Sequence, residues 1–168
     1  MNEYTVEPAA MGDLEKITEI FAAARAFMAE QGNPQWSDGF PDGAFLSKKI
    51  ADGNMYKLTC GGCIAAAFSV LEHDEEYERI DGAWLTDGNY FAVQTIAVSP
   101  SFRGKGCARY IFSAAQTMAS KRQKVSIRMS THEKNIPMRT LVQSLGFTCC
   151  GTIKVGGNQP RIAYEKLI

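Results

Sequence analysis

The sequence predicts a mixed α/β fold, a mostly antiparallel sheet of six or seven strands flanked by about four helices, in a single domain over residues 1–168. Three observations predict it. Two strand-like runs, about 54–60 and 63–71, flank Gly61-Gly62, the two-residue signal of a β-hairpin. The run Tyr90-Phe91-Ala92-Val93-Gln94-Thr95-Ile96-Ala97-Val98 is apolar almost throughout, the pattern of a strand buried on both faces at a sheet centre. Between the strands, apolar residues recur at spacings of three and four, which marks amphipathic helices. Helices interspersed with hairpin-linked strands give a mixed α/β layer architecture.

Tyr4-Thr5-Val6-Glu7 reads as a short opening strand. Asp13 can cap a helix in which Leu14, Ile17, Ile20, Phe21, Ala24, Phe27 and Met28 share one face. Gln31-Gly32-Asn33-Pro34 ends it, and an irregular loop, Gln35 to Asp42, follows with Trp36 and Phe40 in it. A second short helix covers about Asp42 to Ala51, ahead of the hairpin. An acidic connection then carries Glu72, Asp74, Glu75, Glu76, Glu78 and Asp81. After the apolar strand, a helix from about Gly106 to Ala119 places Ala108, Ile111, Phe112, Ala115, Met118 and Ala119 on one stripe. Val125, Ile127 and Met129 alternate along the next strand. Pro137 to Leu145 form a helix with Pro137 in its first turn and Gly146 as its stop. Strands at about 147–155 and 161–167 close the chain.

A formal net charge of zero argues against a general binder of nucleic acid or anionic membranes, since both need a basic surface excess. No apolar run approaches the ~20 residues of a membrane span. The stretch Met1-Asn2-Glu3-Tyr4-Thr5 lacks the basic and apolar regions of a secretory signal, so a soluble cytoplasmic protein is expected. Five cysteines, an odd number, favour reduced thiols. Cys60 and Cys63 have CxxC spacing, but they sit at the two ends of the Gly61-Gly62 turn. A zinc site would need about two further ligands, and the adjacent Cys149 and Cys150 point to opposite faces of a strand. A hairpin turn is therefore the expected role, and no metal is expected.

The most informative stretch is Arg103-Gly104-Lys105-Gly106-Cys107-Ala108, between the apolar strand and an amphipathic helix. Glycine lets backbone N–H groups approach a ligand, and a helix start adds uncapped donors and the positive end of its dipole. Strand, loop and helix thus make a phosphate or pyrophosphate cradle. A dinucleotide fingerprint would need a third glycine and an acidic residue ~20 positions on; here Cys107, Ala108 and Arg109 follow, and Gln123, Lys124 and Val125 stand near that offset. No GxxxxGK followed by Ser or Thr occurs, so ATP of the P-loop kind is not indicated either.

The stretch Ile96-Ala97-Val98-Ser99-Pro100 through Ala108 resembles the central motif of the GNAT superfamily of N-acyltransferases: Gln or Arg, then Gly three positions on, then Gly or Ala two further, met by Arg103, Gly106 and Ala108. Asn135-Ile136-Pro137-Met138-Arg139-Thr140-Leu141 through Leu145-Gly146-Phe147 is similar to a second family motif on a helix. The resemblance implies that acetyl-CoA lays its pyrophosphate on the amides of Arg103, Gly104, Lys105, Gly106, Cys107 and Ala108, with Arg103 and Lys105 adding charged contacts. It implies that the pantetheine arm pairs with the main chain of Ile96, Ala97 and Val98, where the central strand parts from the next, and that Asn135 contacts the arm near the thioester. A small-molecule or peptide primary amine enters from the other side. Homodimers are common in the family.

Transfer needs a neutral amine, a polarised carbonyl and a proton for the departing thiolate. The family often places a Tyr after Leu141 as that acid; this sequence has Val142. His132, at the strand end before the second motif, is the replacement candidate, the alternative being a solvated loop residue. Glu72 and Asp81 can serve as base or steer cationic amines, the alternative being a merely solvated acidic loop. Trp36, Phe40, Trp84 and Tyr90 fall in segments that border the acceptor side in this fold and can wall a pocket, with core packing as the alternative for Tyr90 and cover of the sheet edge for Trp84. The leading expectation is an acetyl-CoA-dependent N-acetyltransferase. The rival is a catalytically silent acyl-CoA-binding or sensor domain.

Overall fold

The computed structural model describes residues 3–168; Met1 and Asn2, the start of the N-terminal stretch read above, lie outside the described residues. Eight strands join in one mixed sheet, in the order β1-β2-β3-β5-β6-β8-β7-β4, with four α-helices. The chain groups into two compact units: residues up to Val70 with Thr95–Ala114, and Leu71–Gln94 with Ala115–Ile168.

In the first unit, β1 (Thr5–Pro8) pairs antiparallel with β2 (Met55–Cys60), and β2 with β3 (Cys63–Leu71). The β2–β3 turn is the expected hairpin, with Gly61 at φ 56° and Gly62 at φ 78° and Cys60 opposite Cys63. Positive φ at both central residues is the turn that matches strand twist, and glycine adopts it without a Cβ penalty. All five cysteines are free thiols. Helix α1 (Leu14–Glu30) buries Ile17, Ile20 and Phe21 against α2 (Gly43–Ala51), which buries Leu46 and Ile50. The Asp42 carboxylate caps α2 by accepting from the Phe45 N–H at 2.8 Å. Before α1, the Asp13 carboxylate accepts from the Ala10 N–H at 2.8 Å and pairs with Lys57 at 3.0 Å. The Ala10 N–H above all, with Lys57, holds its pKa below the ordinary carboxylate value.

In the second unit, the first residues of β5 (Tyr90–Val98) run parallel to β6 (Ser126–Thr131), with Tyr90, Phe91 and Ala92 opposite Ser126, Ile127 and Arg128. Strand β8 (Gln159–Leu167) pairs antiparallel with β6 and with β7 (Thr148–Val155). Its core joins Tyr77, Tyr90, Ala92, Ile153 and Ala163. Helix α3 (Cys107–Lys121) starts in the first unit and ends in the second, and α4 (Ile136–Ser144) lies wholly in the second.

Three expectations change. The sheet has eight strands and not six or seven, because β4 is the two residues Asp81–Gly82, paired with β7 inside the acidic connection and too short to leave a pattern. Strand β5 is buried over Tyr90–Val93 and at Ala97; Gln94, Thr95, Ile96 and Val98 are half-buried. Strand β6 does not alternate: Ser126, Ile127, Arg128 and Met129 are all buried, while Val125 is exposed just before it. Ser126 and Arg128 can be buried there because Glu165, on β8, accepts from both. No helix among the described residues is long and apolar enough to cross a membrane.

Candidate active site

The glycine loop lies in the first unit and is built by local bonds. From the end of β5, the Ser99 N–H donates to Ala65 O at 2.8 Å, and a single turn follows in which the Phe102 N–H donates to Ser99 O at 2.9 Å. Gly104 and Gly106 then take φ 73° and 79°, and a Cβ on either would meet nothing within 4 Å. The loop floor is therefore bare backbone facing open space. Among the described residues, no acceptor takes the N–H of Gly104, Gly106, Cys107 or Ala108. The start of α3 adds its dipole to these donors. A diphosphate needs this donor set, so the residues fit the group that the motif implies.

The side chains around the loop have other duties. Arg103, expected to reach phosphate, donates to Ala23 O at 3.0 Å and lies 4.2 Å from the centroid of the Phe27 ring. It ties the loop to α1 and covers Phe27, the residue of the α1 stripe that stays exposed. Lys105 is exposed, and its carbonyl accepts from the Tyr4 hydroxyl at 3.0 Å. Cys107 is buried, its Sγ 3.4 Å from the same hydroxyl. Tyr110, one turn into α3, donates to Tyr4 O at 2.8 Å. Tyr4 thus straps the loop from ~100 residues away, a role with no local signal in the sequence. Thr95, directly before Ile96, Ala97 and Val98, has φ 52°. A β-branched residue in that region is strained, and such strain concentrates at functional sites. The recorded parallel pairing with β6 ends three residues earlier, at Ala92.

The second unit holds the other expected residues. Asn135 caps α4, its Oδ1 accepting from the Met138 N–H at 3.3 Å, and its own N–H donates to His132 O at 2.9 Å. These two expected site residues are therefore joined. His132 Nδ1 accepts from the Lys134 N–H at 3.1 Å, which puts the proton of a neutral ring on Nε2. Burial, then the Arg161 guanidinium, push the His132 pKa below 6.5. A standing imidazolium is disfavoured. Val142, at the usual Tyr position, is fully buried and contributes packing alone.

Glu72 is not a free base. Arg122 and Lys124 pair with it at 2.7 and 3.2 Å, and the two cations, Lys124 first, lower its pKa. Asp81 pairs through its backbone in β4. Of the aromatic residues expected at a pocket, Trp36 is instead core, tilted against Phe21 at 5.5 Å, and Phe40 sits edge-on to Phe45. Trp84 and Tyr90 flank Tyr77, at 5.5 and 6.1 Å between ring centroids. Among the described residues, no three His, Cys, Asp or Glu side chains gather as a metal-ligand set.

The acetyltransferase (GNAT) family model matches residues 18–147. The chain belongs to this family. A GNAT-family acetyltransferase from Streptococcus agalactiae 2603 is 30% identical, covering 98% of this chain and 95% of that one, with a TM-score of 0.87. The PaiA N-acetyltransferase of Thermoplasma acidophilum, in complex with coenzyme A, shares the fold at a TM-score of 0.72 and 12% identity, covering 99% of both chains. Streptothricin acetyltransferase of Escherichia coli is 37% identical over 60 residues, which span 36% of this chain and about a third, 34%, of that relative. The region matched by the GNAT model takes in β5, the glycine loop, β6 and α4, and ends at Phe147.

Proposed function

We propose that this GNAT chain is an acetyl-CoA-dependent N-acetyltransferase that acetylates a primary amine by direct transfer. The observation that carries the reading is the side-chain-free loop with acceptorless N–H groups at Gly104, Gly106, Cys107 and Ala108. The coenzyme A held by the Thermoplasma acidophilum relative supports it, as does the acetyl transfer named for the Escherichia coli relative.

Acetyl-CoA supplies the acyl thioester. The loop amides would hold its diphosphate, the main chain of Ile96, Ala97 and Val98 its arm, and Asn135 the end of that arm. The amine nitrogen bonds to the carbonyl carbon, the carbon–sulfur bond breaks, and the proton that the nitrogen loses ends on sulfur. His132, held neutral, donates from Nε2–H to the negative charge that grows in this step. Its protonation would place a hydrogen on Nδ1 against the Lys134 N–H and break the bond that orients the ring.

Thermal shift separates the cofactors: acetyl-CoA and CoA should stabilise the protein, ATP and NAD should not, and no shift with either CoA species overturns the reading. Thiol release with an amine panel tests the chemistry; binding of CoA with no amine-dependent release would favour the silent acyl-CoA-binding alternative. His132→Ala should lower kcat by about 10²-fold while acetyl-CoA affinity stays within about 2-fold. Because the folded-state pKa lies below 6.5, the wild-type advantage should be full above pH 6.5 and shrink as pH falls. A full-rate variant removes His132 from the mechanism. Glu72→Gln should keep turnover within about 2-fold, since its carboxylate is occupied by Arg122 and Lys124; a larger loss would make it the base.

A further inference from the structure

Among the described residues, one buried side-chain oxygen of the second unit stands without a well-placed partner. The Tyr77 hydroxyl is completely buried and has no hydrogen-bond partner at good geometry. It faces the side chains of Ser130 and Gln94, with the Asp74 carboxylate and the Tyr90 phenol beside it. Burial pushes its pKa well above the ordinary phenol value, so it stays protonated. A buried, unpaired polar group in a folded core calls for an explanation.

Asp74 provides one. Its Oδ1 accepts from the Glu76 N–H at 2.9 Å, and its Oδ2 accepts from the Gln94 side-chain amide. Tyr90 Oη accepts from the Asp74 N–H at 3.1 Å and sits 3.3 Å from its carbonyl oxygen, which fixes the residue in place. Every one of these donors is neutral. Among the described residues Asp74 has no ion pair, although Glu72, two residues away, has two. The nearby cation, Arg128 over the Tyr90 and Trp84 rings, is neutralised by Glu165 at 2.9 Å. Asp74 is thus a half-buried carboxylate held by stand-in donors, within a segment that also carries Glu75, Glu76 and Glu78.

We infer that Asp74, Gln94 and Tyr77 form a subsite for an alkylammonium group, and that the acceptor is a primary amine carrying a second cationic centre. The inference rests on the N-acetyltransferase reading for the word acceptor, but the subsite itself stands on these residues. The Gln94 amide has two acceptors at hand, Asp74 Oδ2 and Tyr77 Oη. An arriving ammonium takes Asp74 with a charged bond, which is stronger than the neutral one it replaces. The released amide turns to Tyr77 Oη and fills the orphan position. The second centre follows from protonation: Asp74 favours the charged amine, and a charged amine cannot attack a thioester. The ammonium on Asp74 is therefore the one that does not react. Tyr77, acting through Gln94, is a positioning residue.

The test uses 1,5-diaminopentane, n-pentylamine and 5-aminopentanoate, titrated calorimetrically with and without saturating CoA and compared in thiol release. The diamine should bind best, and Asp74→Asn should reduce its affinity at least 10-fold and collapse its preference over pentylamine. Tyr77→Phe should weaken the diamine several-fold while Tm stays level or rises, because a buried hydroxyl without a partner is removed; a merely structural tyrosine would change Tm without changing that affinity. No diamine binding by the wild type, or equal binding by Asp74→Asn, overturns the subsite. Should Asp74→Asn fail to fold, unchanged diamine affinity in Tyr77→Phe does so. Acetyl-CoA affinity on the same samples keeps the two readings apart: its loss with intact diamine binding sinks the acetyltransferase proposal alone.

Discussion

Gly106→Asp is expected to weaken acetyl-CoA binding at least about 100-fold, or ~2.7 kcal/mol, with the protein still folded. Two effects combine at this position. Gly106 has φ 79°, where an L side chain is strained by roughly 1 kcal/mol, though Asp tolerates that region better than most residues. A Cβ there meets no atom within 4 Å, so no clash adds to the strain. The second effect dominates: a carboxylate is placed over N–H groups whose ligand is itself anionic, in competition for the same donors and in repulsion with the diphosphate. Gly106→Ala isolates the first effect, since it carries the strain without the charge. It should lower stability by about 1 kcal/mol and leave affinity within a few-fold. Calorimetry with CoA and a melting curve on each variant make the comparison. Equal affinity in Gly106→Asp and wild type would sink the cradle.

Glu165→Ala is expected to cost about 3–5 kcal/mol of stability, a fall of roughly 10 °C in Tm for a chain of this size. Glu165 is fully buried, and its carboxylate serves three donors from two segments: Ser126 Oγ at 2.6 Å and Arg128 Nε at 2.9 Å on β6, and the Leu85 N–H at 2.5 Å from the loop before β5. Arg128 is itself only 7% exposed, sandwiched on Trp84 and Tyr90, with Thr86 O accepting from its other end. Truncating the acid leaves a buried guanidinium without its counter-charge, which costs more than the pair is worth intact. Glu165→Ala with Arg128→Met should therefore recover part of the loss. A single variant melting within about 2 °C of wild type would show that the network carries little of the fold.

How much of this was legible beforehand depended on the range of the physics involved. The β2–β3 hairpin, the α1 and α3 stripes and the α4 start at Asn135-Ile136-Pro137 follow from turn chemistry and periodicity within a few residues. The glycine loop was legible for the same reason: φ at Gly104 and Gly106 and the free amides of a helix start are local properties. Strand β4 was not, because two residues carry no period. Arg103 stands where the motif implies a phosphate contact, yet α1 offers it Ala23 O and the Phe27 face, partners ~80 positions away. Trp36, in a loop that can wall a pocket, is core. Apolar aromatic character is the same in both settings, and only packing tells them apart.

The chain's own residues determined the elements other than β4, their order, the GNAT motifs and the side-chain-free glycine loop, since spacing and backbone conformation act over short stretches. Tertiary structure alone decided the fate of the charges and hydroxyls. It paired Glu72 and left Asp74 with neutral donors, hid Glu165 among Ser126, Arg128 and Leu85, and buried Tyr77 Oη without a partner. The reason is that the energy of a polar group is set by burial and by partners from distant strands, neither of which is written beside it in the sequence.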